Sequence, residues 1–240
     1  MELSLADFIL AISVLTFGAF IQGIAGFGLA VLAAPILYII NPRLIPSIPL
    51  MLGLIMCLVI LYRYRHSINL SMFGFASIGR IPGAFLGTIV LLMCSVRSLQ
   101  LFIGVSVLTA VLINLCAIKI RATRTTLAIA GLLSGITGTA ASIDGPPMAL
   151  VMQSQEGDII RGTLSAYFVC GCIVSLSILV FNHRFGTQDF MYGLYFLPGT
   201  LLGSFLAKRV AHRIPKERMQ FLTLALCGIS GSFAIITAMI

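Results

Sequence analysis

Two short stretches hold the residue types that could bind an ion inside an otherwise apolar chain. The first is Gln22-Gly23-Ile24-Ala25-Gly26-Phe27-Gly28. The second is Ser134-Gly135-Ile136-Thr137-Gly138-Thr139, continuing to Ser142-Ile143-Asp144-Gly145-Pro146-Pro147. Within a helix a glycine costs about 1 kcal/mol and a proline about 3 kcal/mol, so each stretch predicts a helix break. Broken backbone at membrane depth is tolerated only where it is buried in protein or lines a cavity. A half-helix that restarts after a break presents free N–H groups and a positive dipole end, and both attract anions. The chemistry expected is anion binding. Its candidate residues are Gln22, Gly23, Gly26, Phe27 and Gly28 from one break, with Gly135, Thr137, Gly138, Thr139, Ser142 and Pro147 from the other.

Two charged residues add to this set. Arg80 is the only basic residue well inside an apolar segment, Leu70–Met93, and Asp144 is the only acid within the apolar regions. A charge at that depth costs at least about 2.5–3.5 kcal/mol and so faces a cavity or a partner. The Arg80 guanidinium suits an oxyanion substrate, or it forms a structural ion pair with Asp144. Asp144 could carry a coupling proton, pair with Arg80, or cap the helix starting near Pro146. Gly79, Gly83, Gly87, Gly199 and Gly203 read as close helix packing of the small-xxx-small kind.

The elements that must position these residues follow from composition. Of 240 residues, 59% are hydrophobic and only 9% charged, far below the quarter or so that a soluble domain carries. Residues 8–42, 98–118 and 219–240 contain no charge at all, and a membrane-spanning helix needs about 20 such residues. The expectation is an all-α polytopic membrane protein. The net charge of +8 sits in short breaks between apolar runs, as topology signals do, so no nucleic-acid partner is expected. Cys57, Cys94, Cys116, Cys170, Cys172 and Cys227 lie in apolar stretches without metal-ligand spacing, and His66, His183 and His212 sit in polar breaks. No catalytic set, metal site or cofactor is expected, and the chain does not read as an enzyme. The acidic start Met-Glu-Leu-Ser-Leu-Ala-Asp does not resemble a cleavable signal, so the first apolar segment is expected to stay.

The chain also repeats itself. Gly23-Ile24-Ala25-Gly26 matches Gly135-Ile136-Thr137-Gly138 at an offset of 112, and Pro82-Gly83-Ala84-Phe85-Leu86-Gly87 matches Pro198-Gly199-Thr200-Leu201-Leu202-Gly203 at 116. Phe196 then stands where Arg80 does. This divides the chain into a first membrane repeat, 1–118, a basic cytoplasmic connector, 119–124, and a second repeat, 125–240. If every apolar segment simply crossed, the basic residues would divide almost evenly between the two sides. If each Gly-rich segment is instead a hairpin entering and leaving by one face, Arg63, Arg65, Lys119, Arg121, Arg124, Arg161, Lys208, Arg209, Arg213, Lys216 and Arg218 share a side. Only Arg43, Arg97 and Arg184 then lie opposite, the bias expected of cytoplasmic loops. Each half becomes a broken, re-entrant helix plus three transmembrane helices, about eight membrane segments in all. The halves are inverted and both termini periplasmic. The second hairpin is expected to have arms of about ten residues, Thr125–Ser134 and Pro147–Gln155, each about half a bilayer long. Leu3–Gln22 of the first could nearly span.

The run Gln22–Gly28 followed by Ala34-Pro35, then Gly79-Arg80-Ile81-Pro82-Gly83-Ala84-Phe85-Leu86-Gly87, with the echoes at Gly135–Pro147 and Pro198–Gly203, resembles the sulfite exporter TauE/SafE family. The resemblance implies a small permease exporting sulfite or organosulfonate-type anions across the bacterial inner membrane. Thr139, Ala140 and Ala141 depart from the glycine-rich pattern, which leaves the substrate open. The partners expected are a small anion and membrane lipid, the latter beside the basic cluster 208–218, with a homodimer left open. The alternatives are a channel or uptake carrier for another small anion, or a non-transporting membrane assembly protein.

Overall fold

The computed structural model describes residues 3–25, 28–115, 120–210 and 216–239. They form helices and no strand: α1 (Leu5–Ala25), α2 (Leu29–Ile40), α3 (Ser47–Tyr64), α4 (Leu70–Met93), α5 (Val96–Leu115), α6 (Arg124–Ala141), α7 (Gly145–Met152), α8 (Gly157–Phe181), α9 (Thr187–Val210) and α10 (Lys216–Met239). Helix starts carry local signals. The Asn69 side chain accepts from the Met72 N–H at the head of α4, and a Thr123/Thr126 capping box opens α6. Among the described residues, six helical stretches are long and apolar enough to cross a bilayer. α4 turns Ile78, Ile81, Phe85 and Ile89 outward, and α9 does the same with Leu201, Leu202 and Phe205. Surfaces this apolar suit lipid, not water. The polytopic, all-helical expectation holds.

Glycines set the closest contacts. The space that a Cβ would need at Gly79 is taken by the backbone of Ala128 and Leu132, at Gly83 by Leu132 and Gly135, and at Gly87 by Ile136. Residue numbers rise together along both helices, so α4 and α6 run parallel. The same holds for α9 and α1, where Gly199 meets Ile12 and Thr16, Gly203 meets Thr16 and Phe20, and Gly23 meets Ala207. The broken helix at the head of each half thus packs on the Pro-Gly helix of the other half.

Polar contacts then sort the helix termini into two ends. Ser47 Oγ donates to the Arg184 carbonyl (3.0 Å), Tyr38 to that of Val96 (2.7 Å) and Arg97 Nη2 to that of Met239 (2.7 Å). These gather the C-termini of α2, α4, α8 and α10 with the N-termini of α3, α5 and α9, and the parallel packing on α9 adds the start of α1. At the opposite end, the Asn69 N–H donates to Thr163 Oγ1 (2.9 Å) and Arg161 lies over Tyr64. Arg124 there stacks on Phe75, which brings the start of α6 beside the start of α4. Both the α1–α2 and the α6–α7 hairpins therefore enter and leave by one end, and they do so from opposite ends.

The structure corrects the hairpin arms and their breaks. α6 has 18 residues and α7 has 8, so the arms are about 27 Å and 12 Å long, not two equal halves of a bilayer. α1, with 21 residues, reaches about 31 Å against about 18 Å for α2. Gly135-Ile136-Thr137-Gly138 does not break α6, which continues to Ala141. The cost of these glycines is offset by close approach: α4 backbone fills the space beside Gly135, while Arg80 and Asp144 fill it beside Gly138. Gly23 likewise stays within α1. α1 ends at Ala25 and α2 begins at Leu29, while α6 ends at Ala141 and α7 begins at Gly145. These helix bounds stand 116 residues apart, the offset of the Pro-Gly motifs, so the 112-residue match lies about one helical turn out of register.

Candidate functional site

The second break is made by backbone conformation and three hydroxyls. Ser142 adopts left-handed φ 63°, and its N–H caps α6 on the Gly138 carbonyl. Its Oγ donates to the Pro46 carbonyl (2.7 Å). Ser134 Oγ donates to the Asp144 carbonyl and Thr137 Oγ1 to that of Ile143, which holds the turn against α6. In the first break Gly28 has φ 130°, a value that disfavours any side chain. Gln22 reaches across with Oε1 accepting the Leu29 N–H (3.3 Å). The first turn of a helix lacks internal partners for its N–H groups. With Leu29 held by Gln22, Ala30 and Val31 are left as donors. α7 has fewer, since Pro146 and Pro147 carry no N–H.

Both breaks open on one cavity. It is lined by Gln22 and Gly28–Val31 from the first break and by Ser142, Asp144 and Gly145 from the second. Pro49, Leu50, Gly53 and Cys57 of α3 and Phe168 and Cys172 of α8 close its walls. The space open to the centre of a water-sized sphere is about 40 Å³. A single water needs about 10–15 Å³ by the same measure, so the cavity holds about three waters or one compact ion.

Arg80 stands behind this cavity, not in its wall. It is 1% exposed. Nη1 donates to Asp144 Oδ2 (3.2 Å) and to the Ser134 carbonyl (3.2 Å), while the guanidinium lies 5.3 Å over the Tyr167 ring. Nε and Nη2 have no hydrogen-bond partner. Gly171 makes room for the group, since a Cβ there would fall on the guanidinium. Asp144 occupies the N-cap position of α7 yet makes no side-chain cap bond, so capping is not its role. Its carboxylate turns to Arg80 and keeps a 17% exposed edge. At the position 116 residues on from Arg80, Phe196 is fully buried and stacks on Phe8 at 5.1 Å, and 116 residues before Asp144 the chain has Gly28. The acid and the arginine thus occur together at one interface and are both missing from the matching positions.

Of the residues expected at the site, Gln22, Gly28, Ser142 and Asp144 are brought together at the cavity. Gly23 and Gly135 serve helix contacts, Gly138 adjoins the ion pair, and Thr137 closes the break. Thr139 bonds Ser175 across to α8 (2.7 Å), and Pro147 lies within α7 outside the cavity lining. Gly26 and Phe27 fall outside the described residues. Sequence reasoning missed the walls from α3 and α8. One signal was present: Cys57 and Cys172, which both line the cavity, stand 115 residues apart, beside the 116 of the breaks.

A sequence model of the sulfite exporter TauE/SafE family matches residues 10–234, nearly the whole chain. Comparisons with curated proteins and with solved structures find no match.

Proposed function

The chain belongs to the sulfite exporter TauE/SafE family, whose members are membrane transporters of sulfite or related anions and not enzymes, and on that premise we propose that it exports sulfite or a similarly compact sulfur oxyanion across the bacterial inner membrane. The observation that carries this reading is the single cavity shared by two helix breaks that enter from opposite ends. The Ala30 and Val31 N–H groups and the Gln22 carboxamide offer donors at the positive end of α2, which favours an anion. The volume favours a small one: about three waters' space suits an ion of a few heavy atoms, whereas a longer sulfonate requires the arms to part. The short return arms α2 and α7 reach the cavity from opposite ends. Movement of one arm at a time would open it alternately to each side. The basic end, with Arg63, Arg65, Arg121, Arg124, Arg161, Lys208 and Arg209 among the described residues, faces the cytoplasm in this proposal, leaving both termini periplasmic.

Counterflow in proteoliposomes tests the reading. Vesicles loaded with unlabelled sulfite should accumulate radiolabelled sulfite transiently above equilibrium, the behaviour of a carrier. Equilibration without overshoot would indicate a channel, and no protein-dependent flux would refute the proposal.

A further inference from the structure

An anion entering the cavity meets a carboxylate. Asp144 is the only acid among the described lining residues, and its side chain keeps 17% of its surface exposed. Its counter-charge, Arg80, lies behind it and reaches it through Nη1 alone. While Asp144 is ionised the pair is neutral, so the cavity offers an anion no net attraction beyond helix-end donors, together with repulsion from Oδ. The other titratable groups around Asp144 are Tyr167 and Cys172 from α8 and Cys57 from α3, while α6 contributes Ser134. Phenols and thiols are neutral near pH 7, which leaves Asp144 as the group whose charge a proton can remove. Arg80 keeps its charge throughout. Its polar contacts run through Nη1, while Nε and Nη2 make no hydrogen bond and the guanidinium rests on the Tyr167 ring. The positions 116 residues away in the other half are Phe196 and Gly28, so the repeat itself does not require the pair.

We propose that Asp144 is the proton site of this transporter: the anion binds to the form in which Asp144 carries a proton and Arg80 supplies the balancing charge. The inference rests on the anion-transport reading and deepens it. In the empty state Arg80 balances ionised Asp144. In the loaded state a proton from water sits on the Asp144 carboxyl oxygen and Arg80 balances the anion. The buried charge is compensated in both states, and one proton is bound for each anion. Arg80 acts through the field it sets, as a positioning charge, without touching the substrate.

Infrared difference spectroscopy on the purified, membrane-reconstituted protein reads this directly, with sulfite as the probe. Adding sulfite near pH 7 should produce the C=O stretch of a protonated carboxylic acid. The band should be absent in Asp144→Asn and shifted in Asp144→Glu, which keeps the acid. The apparent affinity of the wild type for sulfite, corrected for the ion's own protonation, should weaken about tenfold per pH unit once Asp144 ionises, and that of Asp144→Asn should not. Sulfite binding without a protonated-acid band overturns the inference and leaves the transport reading intact. So does a band that survives unchanged in both variants. If Asp144→Asn does not insert, the wild type and Asp144→Glu decide the matter. Failure of sulfite to bind the wild type overturns the transport reading, and this inference with it.

Discussion

Removing one member of the Arg80–Asp144 pair should cost more than removing both. At 3.2 Å and an effective dielectric of about 20, the two charges attract by about 5 kcal/mol. That attraction offsets desolvation, so the net cost of breaking a buried pair is about 3–5 kcal/mol. The two single changes are not equivalent. In Asp144→Asn a guanidinium that cannot deprotonate stays 1% exposed with no acid beside it. In Arg80→Gln the remaining carboxylate is 17% exposed and can be neutralised by a proton from water. Asp144→Asn should therefore bear the full penalty. At about 2–4 °C per kcal/mol for a chain of this size, its melting temperature should fall by about 6–20 °C. Arg80→Gln should lose less, and the double variant should melt above Asp144→Asn, because no buried charge is left unpaired. Thermal melting of the detergent-solubilised protein without added anion measures all four. A double variant that loses the sum of the two single losses would show that the pair is not coupled.

Two further predictions rest on packing and topology. Gly79→Ala should destabilise by about 1–3 kcal/mol, because its Cβ meets Ala128 and Leu132 backbone that cannot move aside. Gly74→Ala, in the same helix with nothing within 4 Å, should be neutral or stabilise by up to about 1 kcal/mol, and the melting temperatures of the two variants test the contrast. Single cysteines placed at Arg43 and Arg184 on a cysteine-free background should label from one side of the membrane, and those at Arg65 and Arg161 from the other. Labelling of 43 and 161 from the same side would rule out the two hairpins.

What the sequence made legible follows from where its signals are local. Apolar runs without charge give membrane helices, and prolines, glycines and an isolated acid give the breaks, because each acts on its own backbone. The sided distribution of arginine and lysine gives the hairpins, since it counts loops without needing their contacts. The boundaries of the breaks were less legible. Gly135 and Gly138 read as helix breakers by intrinsic cost, yet they remain helical because α4 and Arg80 occupy the space their missing side chains leave. That compensation is tertiary. Arg80 was visible as a misplaced charge, but its choice between substrate and Asp144 depends on the geometry of α4, α6 and α7. The walls from Pro49 to Cys57 and from Phe168 to Cys172 are apolar residues in apolar helices, so only contact across the repeat reveals them.

In the proposed transport the anion passes through the cavity between the two breaks. Gly53 offers the test, because it lines that cavity and a Cβ there meets nothing within 4 Å. Gly53→Phe places a benzyl group bulkier than the space of about 40 Å³ into the cavity and should obstruct it. Gly74, equally open but outside the lining, provides the matched control. Sulfite counterflow in proteoliposomes with equal amounts of inserted protein should be lost in Gly53→Phe and kept in Gly74→Phe. Wild-type flux through Gly53→Phe would place the anion's path elsewhere in the protein.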